Sequence, residues 1–559
     1  MDVKAKQVDV IPLVNHYINE MGLHEIFDRY IPNTNGADIK PAQVLCTMIS
    51  NIMVATKPLY KIEEWLTDYT DGKAEEQVLA KKYNDDRCGR EADRLYNADR
   101  HSILLEAVAS AIRIHDLEIK GVHNDSTSVT FSGAYENQSP HAVQLENGYN
   151  KDYRPDLKQI VFGLNITEDG HVPIGYHVYN GSTADIGTHQ TNWNSLREFL
   201  VEDEFIYIAD CKLYSQDNLH HIHSHGGHFI TLVPKNIKAI KQFIKRVKEG
   251  EIIAWGNVYP IESSRKKGKE NIYRTYDNEV SADGYRIIWV HSSRKESMDK
   301  RTRQRQLKNA EQALESLVER LNKYYLKTPE QIAKAVKKIC SSTGQQLMVE
   351  IKEKETIETK QIGRGRAGTE TKYEAVKTIT YELHWHRNKE VIEQESRADG
   401  LFPLITNNKQ MVATDVLKHY KKQPFIEKRF QTKKSTLDVA PVFLHKNERI
   451  EAILFLYFIA LMLVSLIERN IRQQMSEQNI DSLPIRPTGL RCKSPTWDNI
   501  RYFFRSIYLA IIVDGKDIIK TQLKGITPLH KKLLRLLKVP LSIYENLKDY
   551  WWEFEFSTG

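Results

Sequence analysis

The run Ala452–Ile467, AILFLYFIALMLVSLI, constrains the fold of this chain more than any other segment. It is 16 residues long, short of the ~20 needed to cross the hydrocarbon region of a bilayer. Glu448, Arg449 and Glu451 close it on one side, and Glu468 and Arg469 on the other. A helix apolar all round and bounded by charges predicts the central helix of a large core. The chain, at 559 residues, is long enough to build one. Its 41% hydrophobic and 27% charged content is that of a globular protein. By the usual domain-size prior, about three or four units are expected.

Lysine plus arginine less aspartate plus glutamate gives 80 − 73 = +7, which permits an acidic partner such as nucleic acid without demanding one. The five cysteines, Cys46, Cys88, Cys211, Cys340 and Cys492, are scattered with no CxxC pair. That spacing argues against a disulfide framework and a cysteine-based zinc site. The opening MDVKAKQVDVIPLV lacks the apolar stretch of a signal peptide. A reducing cytosol, without membrane association, is the expected setting.

Residues 1–118 carry apolar side chains at helical spacing, as in IPLVNHYINEMGLHEIFDRYI and HSILLEAVASAIRIHDL, and predict a helical N-terminal domain. From 119 to 234 the pattern turns to strands. The runs 161–166 and 172–178 flank Thr167-Glu168-Asp169-Gly170, a hairpin signal. The short apolar run Phe205–Ala209 suits the interior of a sheet covered on both faces. Residues 235–400 are less regular. Within them Leu307, Ala310, Leu314, Leu317, Leu321 and Tyr324 form a helical seam, read as packing inside one domain. Residues 410–475 return to helical patterning, and 500–550 are expected to supply further helices.

Two aspartates stand at strand ends. Asp125 lies in HNDSTSVTF, and Asp210 directly follows FIYIA. Glu427 lies in HYKKQPFIEKRFQTKKS, where Phe425, Ile426 and Phe430 are expected to pack inward and leave the carboxylate facing the strand ends. Three gathered carboxylates repel one another unless a cation joins them. Mg²⁺, or Mn²⁺ in its place, is the hard ion such oxygens favour. Two such ions can activate a nucleophile and stabilise the leaving oxygen of a phosphoryl displacement.

The spacing around Glu427 resembles the signature Y-x2-R-x3-E-x6-K of the DDE insertion-sequence transposases. Tyr420, Glu427 and Lys434 occupy its Tyr, Glu and Lys positions, and Gln423 stands at the Arg position. Further segments are similar to one branch of that group: GYNKDYRPDLKQIVFGL, GSTAD, ADCKLYS, ADGLFPLITN and ITPLHKKLLRLL. Cys211-Lys212-Leu213 departs from the basic residue and glycine that commonly follow the second aspartate. The resemblance implies an α/β catalytic core, a ribonuclease-H-like mixed sheet flanked by helices, in residues 119–234 and 401–475. A helical DNA-binding domain (1–118), a mostly β insertion (235–400) and a helical C-terminal region (476–559) complete the expectation. Implied too are Asp125, Asp210 and Glu427 as catalytic ligands of two Mg²⁺ ions, double-stranded DNA as partner (element ends and target), and a homodimer in the synaptic complex. The setting is then the cytoplasm and nucleoid of a prokaryote. Two other outcomes keep the same fold: a metal-dependent nuclease without strand transfer, or an inactive DNA-binding relic.

Seven basic residues, Lys418, Lys421, Lys422, Lys428, Arg429, Lys433 and Lys434, surround the single acid Glu427. A solvated helix face usually mixes signs, so this bias favours phosphate contact. By resemblance, Tyr420 and Lys434 would hold the backbone beside the cleavage point. Lys235, Lys238, Lys241, Lys245, Arg246 and Lys248 form a second basic run, as readable as a solvated face as a DNA track. Trp255, Trp289 and Trp385 could each stack on a flipped base, although core packing is the better reading. The cluster His220, His221, His223, His225 and His228 lacks zinc-motif spacing and predicts surface or structural histidines, as do His384 and His386.

Overall fold

The computed structural model describes residues 2–33, 39–55, 57–68, 80–148, 154, 156–200, 204–256, 258–262, 270–323, 325–363, 368, 372–432, 444, 446–514 and 517–548. They fall into two compact units, Met1–Thr231 with Lys418–Gly559, and Leu232–Leu417.

The first unit opens with strand β1 (Asp2–Gln7) and helices α1 (Ile11–Glu20), α2 (Leu23–Tyr30), α3 (Pro41–Val54), α4 (Ile62–Asp68), α5 (Asp85–Asn97) and α6 (Arg100–His115). Asn84 and Asp99 cap α5 and α6, each side chain accepting a backbone N–H from three residues on. A five-stranded mixed sheet follows, built from β2 (Gly121–Phe131), β3 (Lys158–Thr167), β4 (Pro173–Tyr179), β5 (Ile206–Ala209) and β6 (His228–Leu232), with α7 (His189–Phe199) and α8 (Gln216–Ser224) between its strands. Its order is β4-β3-β2-β5-β6. β3 pairs antiparallel with β2 and with β4, whereas β5 lies parallel to β2 and β6 parallel to β5. β5 is buried along its length and β3 nearly so, as strands covered on both faces must be.

The hairpin read at Thr167-Glu168-Asp169-Gly170 joins β3 to β4. Gly170 adopts a φ of 70°, and a Cβ there would stand 2.6 Å from the Arg469 side chain, so glycine is required on both counts.

The second unit holds α9 (Lys238–Lys248), β7 (Tyr259–Glu262), β8 (Glu270–Val280), β9 (Arg286–Ser292), α10 (Ser293–Val318), α11 (Pro329–Ile339), β10 (Leu347–Gln361), β11 (Tyr373–Arg387), α12 (Lys389–Ser396) and β12 (Leu401–Thr406). Strands β12, β9, β8 and β7 are joined in that order, and β10 with β11 forms a separate two-stranded hairpin. The mostly β expectation is corrected here. The unit is mixed, because α10 alone runs 26 residues and packs Leu307, Ala310, Leu314, Leu317 and the following Leu321 onto Ile332, Leu347, Tyr381 and Leu383. The helical seam is thus filled within its own domain, as read from the sequence; Tyr324 lies outside the described residues. Trp289 is buried and stacked 4.0 Å from Phe243, and Trp385 packs against the α10 cluster. Trp255 is half-buried beside Tyr276 and His291.

Beyond them come α13 (Ala413–Tyr420), α14 (Pro424–Gln431), α15 (Asn447–Glu477), α16 (Trp497–Phe504), β13 (Tyr508–Asp514), β14 (Asp517–Lys524), α17 (Pro528–Leu536) and α18 (Ser542–Glu545). The apolar run is the heart of the 31-residue α15. By length and composition this helix could cross a membrane, yet 89% of its most apolar window is buried inside the protein. It packs against α3, α5 and β4, and Tyr176 of β4 stacks on Phe458. Two expected helical regions need correction. β1 pairs antiparallel with β13, and β13 with β14, so the two chain ends share a three-stranded sheet. Strand partners some 500 residues apart leave no local periodicity to read.

Candidate active site

β2 and β5 run parallel, with Gly121 opposite Ile206 and Asn124 opposite Ala209. The next residue in each case is an aspartate, so Asp125 and Asp210 lie at the same level of neighbouring strands. Asp210 stands just past the end of β5, whereas Asp125, expected at a strand end, lies within the longer β2, whose ladder with β3 continues beyond it. One Asp125 carboxylate oxygen accepts the N–H of Ser126 at 2.7 Å, and one of Asp210 accepts that of Lys212 at 2.9 Å. Side chains alternate along a strand, which puts His123 and Asp125 on one face and Asn124 on the other. Asn124 joins a buried polar chain toward α7: it donates to Asn165 at 2.9 Å, Asn165 to Asn192 at 2.7 Å, and Asn192 to Tyr207 at 2.8 Å.

The His123 face receives α14. Ile426 and Phe430 are buried there as expected, while Glu427 and Lys428 are exposed. Phe425 is held between His171, stacked at 4.0 Å, and the Lys428 ammonium, 4.4 Å from its ring. Tyr420 is half-buried in the field of two of the acids. Burial raises its phenol pKa, and the charges of Asp210 and Glu427 both raise it further, so it lies within electrostatic reach of each. Among the described residues, no three His, Cys, Asp or Glu side chains stand where they could hold a metal ion. Asp125, Asp210 and Glu427 supply the hard oxygen donors a divalent ion takes, but the third carboxylate is not gathered with the strand pair.

What seats α14 is a set of buried contacts that local sequence patterns do not reveal. Glu168, in the β3–β4 turn, receives Lys422 Nζ at 3.0 Å, and His419 Nδ1 lies 2.7 Å from it. His123 Nε2 lies 3.3 Å from the same carboxylate, and His123 Nδ1 lies 2.7 Å from Gln423 Oε1. Gln423 Nε2 donates to the Asn124 carbonyl at 2.9 Å. Gln423, at the signature's Arg position, is therefore buried and bound to the strand carrying Asp125. On the other side of α14, Arg429 donates to Glu468 at 2.7 Å and to the carbonyls of His171 and Gly170, both at 2.9 Å.

The basic run does not form one DNA-facing surface. Arg429 is a correction: it is 3% exposed and its guanidinium is spent on Glu468 and the turn carbonyls, so it has no access to phosphate. Lys422 is half-buried and paired with Glu168. Tyr420 and Lys421 are half-buried and Lys428 is exposed, while Lys433 and Lys434 lie outside the described residues. In α9, Arg246 pairs with Glu251 and Glu279, Lys248 with Glu395 and Lys245 with Glu249, which neutralises half of that run. Of the histidine cluster, the His221 ring lies 4.4 Å from that of His225, tilted by 39°, and its Nε2 lies 2.8 Å from Asn194 Oδ1.

Glu168 makes the fold sensitive to acid. Burial works to raise its pKa, but hydrogen bonds from His123 and His419, the His419 charge and the Lys422 hydrogen bond outweigh that and hold it well below the ordinary 4.5. A depressed carboxylate pKa gives stability that is present above the ordinary value and lost as pH falls below it. The stability difference between wild type and Glu168→Gln, measured by urea unfolding, should therefore shrink as pH drops below about 4.5. A difference that stays constant from pH 7 to pH 3 would rule this out.

The family described as "Transposase DDE domain" matches residues 118–463, more than half of the chain. A domain of unknown function (DUF4277) matches residues 3–109. No curated protein matches the chain. Among solved structures, a piggyBac transposase synaptic complex with hairpin DNA is similar, with a TM-score of 0.36 and 8% identity over 98% of this chain and 86% of that one.

Proposed function

The chain belongs to the DDE transposases, and from that premise we propose that it binds the terminal inverted repeats of its element, cleaves the ends, and joins the freed 3′-hydroxyls to target DNA. The single observation that carries the site assignment is the register of β2 and β5, which sets Asp125, within β2, beside Asp210, just past the end of β5. Asp125, Asp210 and Glu427 are the residues that would hold Mg²⁺, with Mn²⁺ able to substitute. When bound, such ions supply charge stabilisation for the attacking and leaving oxygens of an in-line displacement. The chain's own part is positional. Gln423 and Glu168 fix the start of α14 against β2, Arg429 fixes its middle, and Glu427 is left facing outward.

The strand order β4-β3-β2-β5-β6, three antiparallel strands followed by two parallel ones, supports a ribonuclease-H-like core. The matches of Tyr420, Glu427 and Lys434 support the signature reading. Gln423 is occupied internally, which argues that its substitution for arginine leaves the DNA-facing surface intact. The helical part of residues 1–118 is the proposed DNA-binding domain, two copies of the chain the proposed synaptic assembly, and the prokaryotic cytoplasm the proposed setting.

Incubating the protein with Mg²⁺, end DNA and a target plasmid tests this reading. Plasmid-joined ends are the expected product; nicked or cut ends that never join would assign the chain to nucleases of the same fold. Lys428, exposed beside Glu427, is expected to meet backbone phosphate. Lys428→Ala should then make the slope of log affinity against log salt shallower by roughly 1, whatever the DNA sequence. An unchanged slope in a filter-binding salt titration would remove Lys428 from the contact surface.

A further inference from the structure

In α10 the inward face is complete. Its apolar seam is packed, and its inward cation Arg303 pairs with Asp399. The opposite face carries Arg294, Arg301, Arg305 and Lys308, all exposed. Successive residues of a helix turn by 100°, so offsets of 7, 11 and 14 from Arg294 place the four on one narrow ridge. At 1.5 Å per residue that ridge is about 21 Å long. Between them the same face presents Ser297, Met298 and Gln304, and no carboxylate. Of the acids of this helix, Asp299 pairs with Lys295, Glu296 with His291 and Glu311 with Arg387, whereas Glu315 is exposed about two turns beyond Lys308, past the end of the ridge. Among the described residues, none of the four ridge cations forms an ion pair.

This is not the usual make-up of a solvated helix face, where charges of both signs alternate and pair at i, i+4. Four like charges in line repel one another, and a linear polyanion relieves that repulsion. Three of them are arginines, whose planar guanidinium matches two phosphate oxygens at once. The ridge length corresponds to about six base steps at 3.4 Å each.

We propose that the Arg294–Arg301–Arg305–Lys308 ridge of α10 is a docking surface for the phosphate backbone of duplex DNA, in a unit separate from the acidic site. It rests on the reading of the chain as a DNA-acting enzyme and adds a contact surface to it. The ridge offers four long cationic side chains in line, and phosphate contacts carry no sequence information, so the grip expected of it is independent of sequence.

The test compares the full-length protein with the quadruple variant Arg294→Gln, Arg301→Gln, Arg305→Gln, Lys308→Gln on a duplex of unrelated sequence, over a salt titration. All four positions are exposed, and circular dichroism checks that the fold is kept. The slope of log affinity against log salt should become shallower by roughly 3 to 4, with affinity at low salt at least about tenfold weaker. The charge-keeping variant Arg301→Lys, Arg305→Lys should retain the wild-type slope. If wild type binds duplex DNA and the quadruple variant gives the same slope, the ridge is overturned and the proposed function stands. If wild type shows no salt-dependent DNA binding at all, the proposed function falls with it.

Discussion

Asp125→Asn is expected to bind element-end DNA as wild type does and to cleave it at least about 100-fold more slowly, since loss of an outer partner of a metal ligand already costs ~10–100-fold. The asparagine keeps the size of the side chain and its hydrogen bond to the Ser126 N–H, so the β2 register with β5 should be undisturbed. What changes is one negative charge beside Asp210. That charge would otherwise help to draw a divalent ion to the aspartate pair. Gel-shift binding and end cleavage measured on the same preparation separate the two effects. Cleavage within a few-fold of wild type would remove Asp125 from the reacting centre.

The largest expected loss of stability follows Glu468→Ala. Glu468 is buried in α15, accepts Arg429 at 2.7 Å and Arg472 at 3.1 Å, and accepts the N–H of Trp497 at 2.8 Å. Burial works to raise its pKa, and the charges of Arg429 and Arg472 overcome this and hold it below the ordinary carboxylate value. The Arg429 and Glu468 side chains are 4% and 5% exposed. Removing one partner of such a pair leaves the other charge buried and uncompensated, at a cost of about 3–5 kcal/mol. The loss falls on the helix bearing Glu427, so end cleavage should fall too. Replacing both residues with methionine should recover part of the stability, because no lone buried charge is then left. A single variant within about 1 kcal/mol of wild type by urea unfolding would show that the pair does not anchor α14.

The features legible in the sequence were those governed by local pattern. The charge-bounded apolar run became a core helix, the Thr167–Gly170 turn became a hairpin, and two acids read on neighbouring strands became register neighbours, although Asp125 lies inside its strand and not at its end. The anchoring of α14 was not legible, because its partners are remote: Glu168 meets His419 and Lys422, and Arg429 meets Glu468. Such pairings depend on the sheet being assembled first. Arg429 shows the same limit at short range. Lys428 and Arg429 are one residue and 100° apart on a helix, so a basic run read as one face put one cation in solvent and the other in the core. The bonds of Gln423 to His123 and to the Asn124 carbonyl likewise join residues 300 and 299 positions apart, which no local pattern reveals.

The most direct test of the central claim is the yield of joined product from Glu427→Gln beside wild type, with Mg²⁺, end DNA and target plasmid, at matched end-binding affinity. If the three carboxylates act as one site, wild type yields joined ends and the variant none. Joined product from Glu427→Gln at the wild-type level would contradict the account.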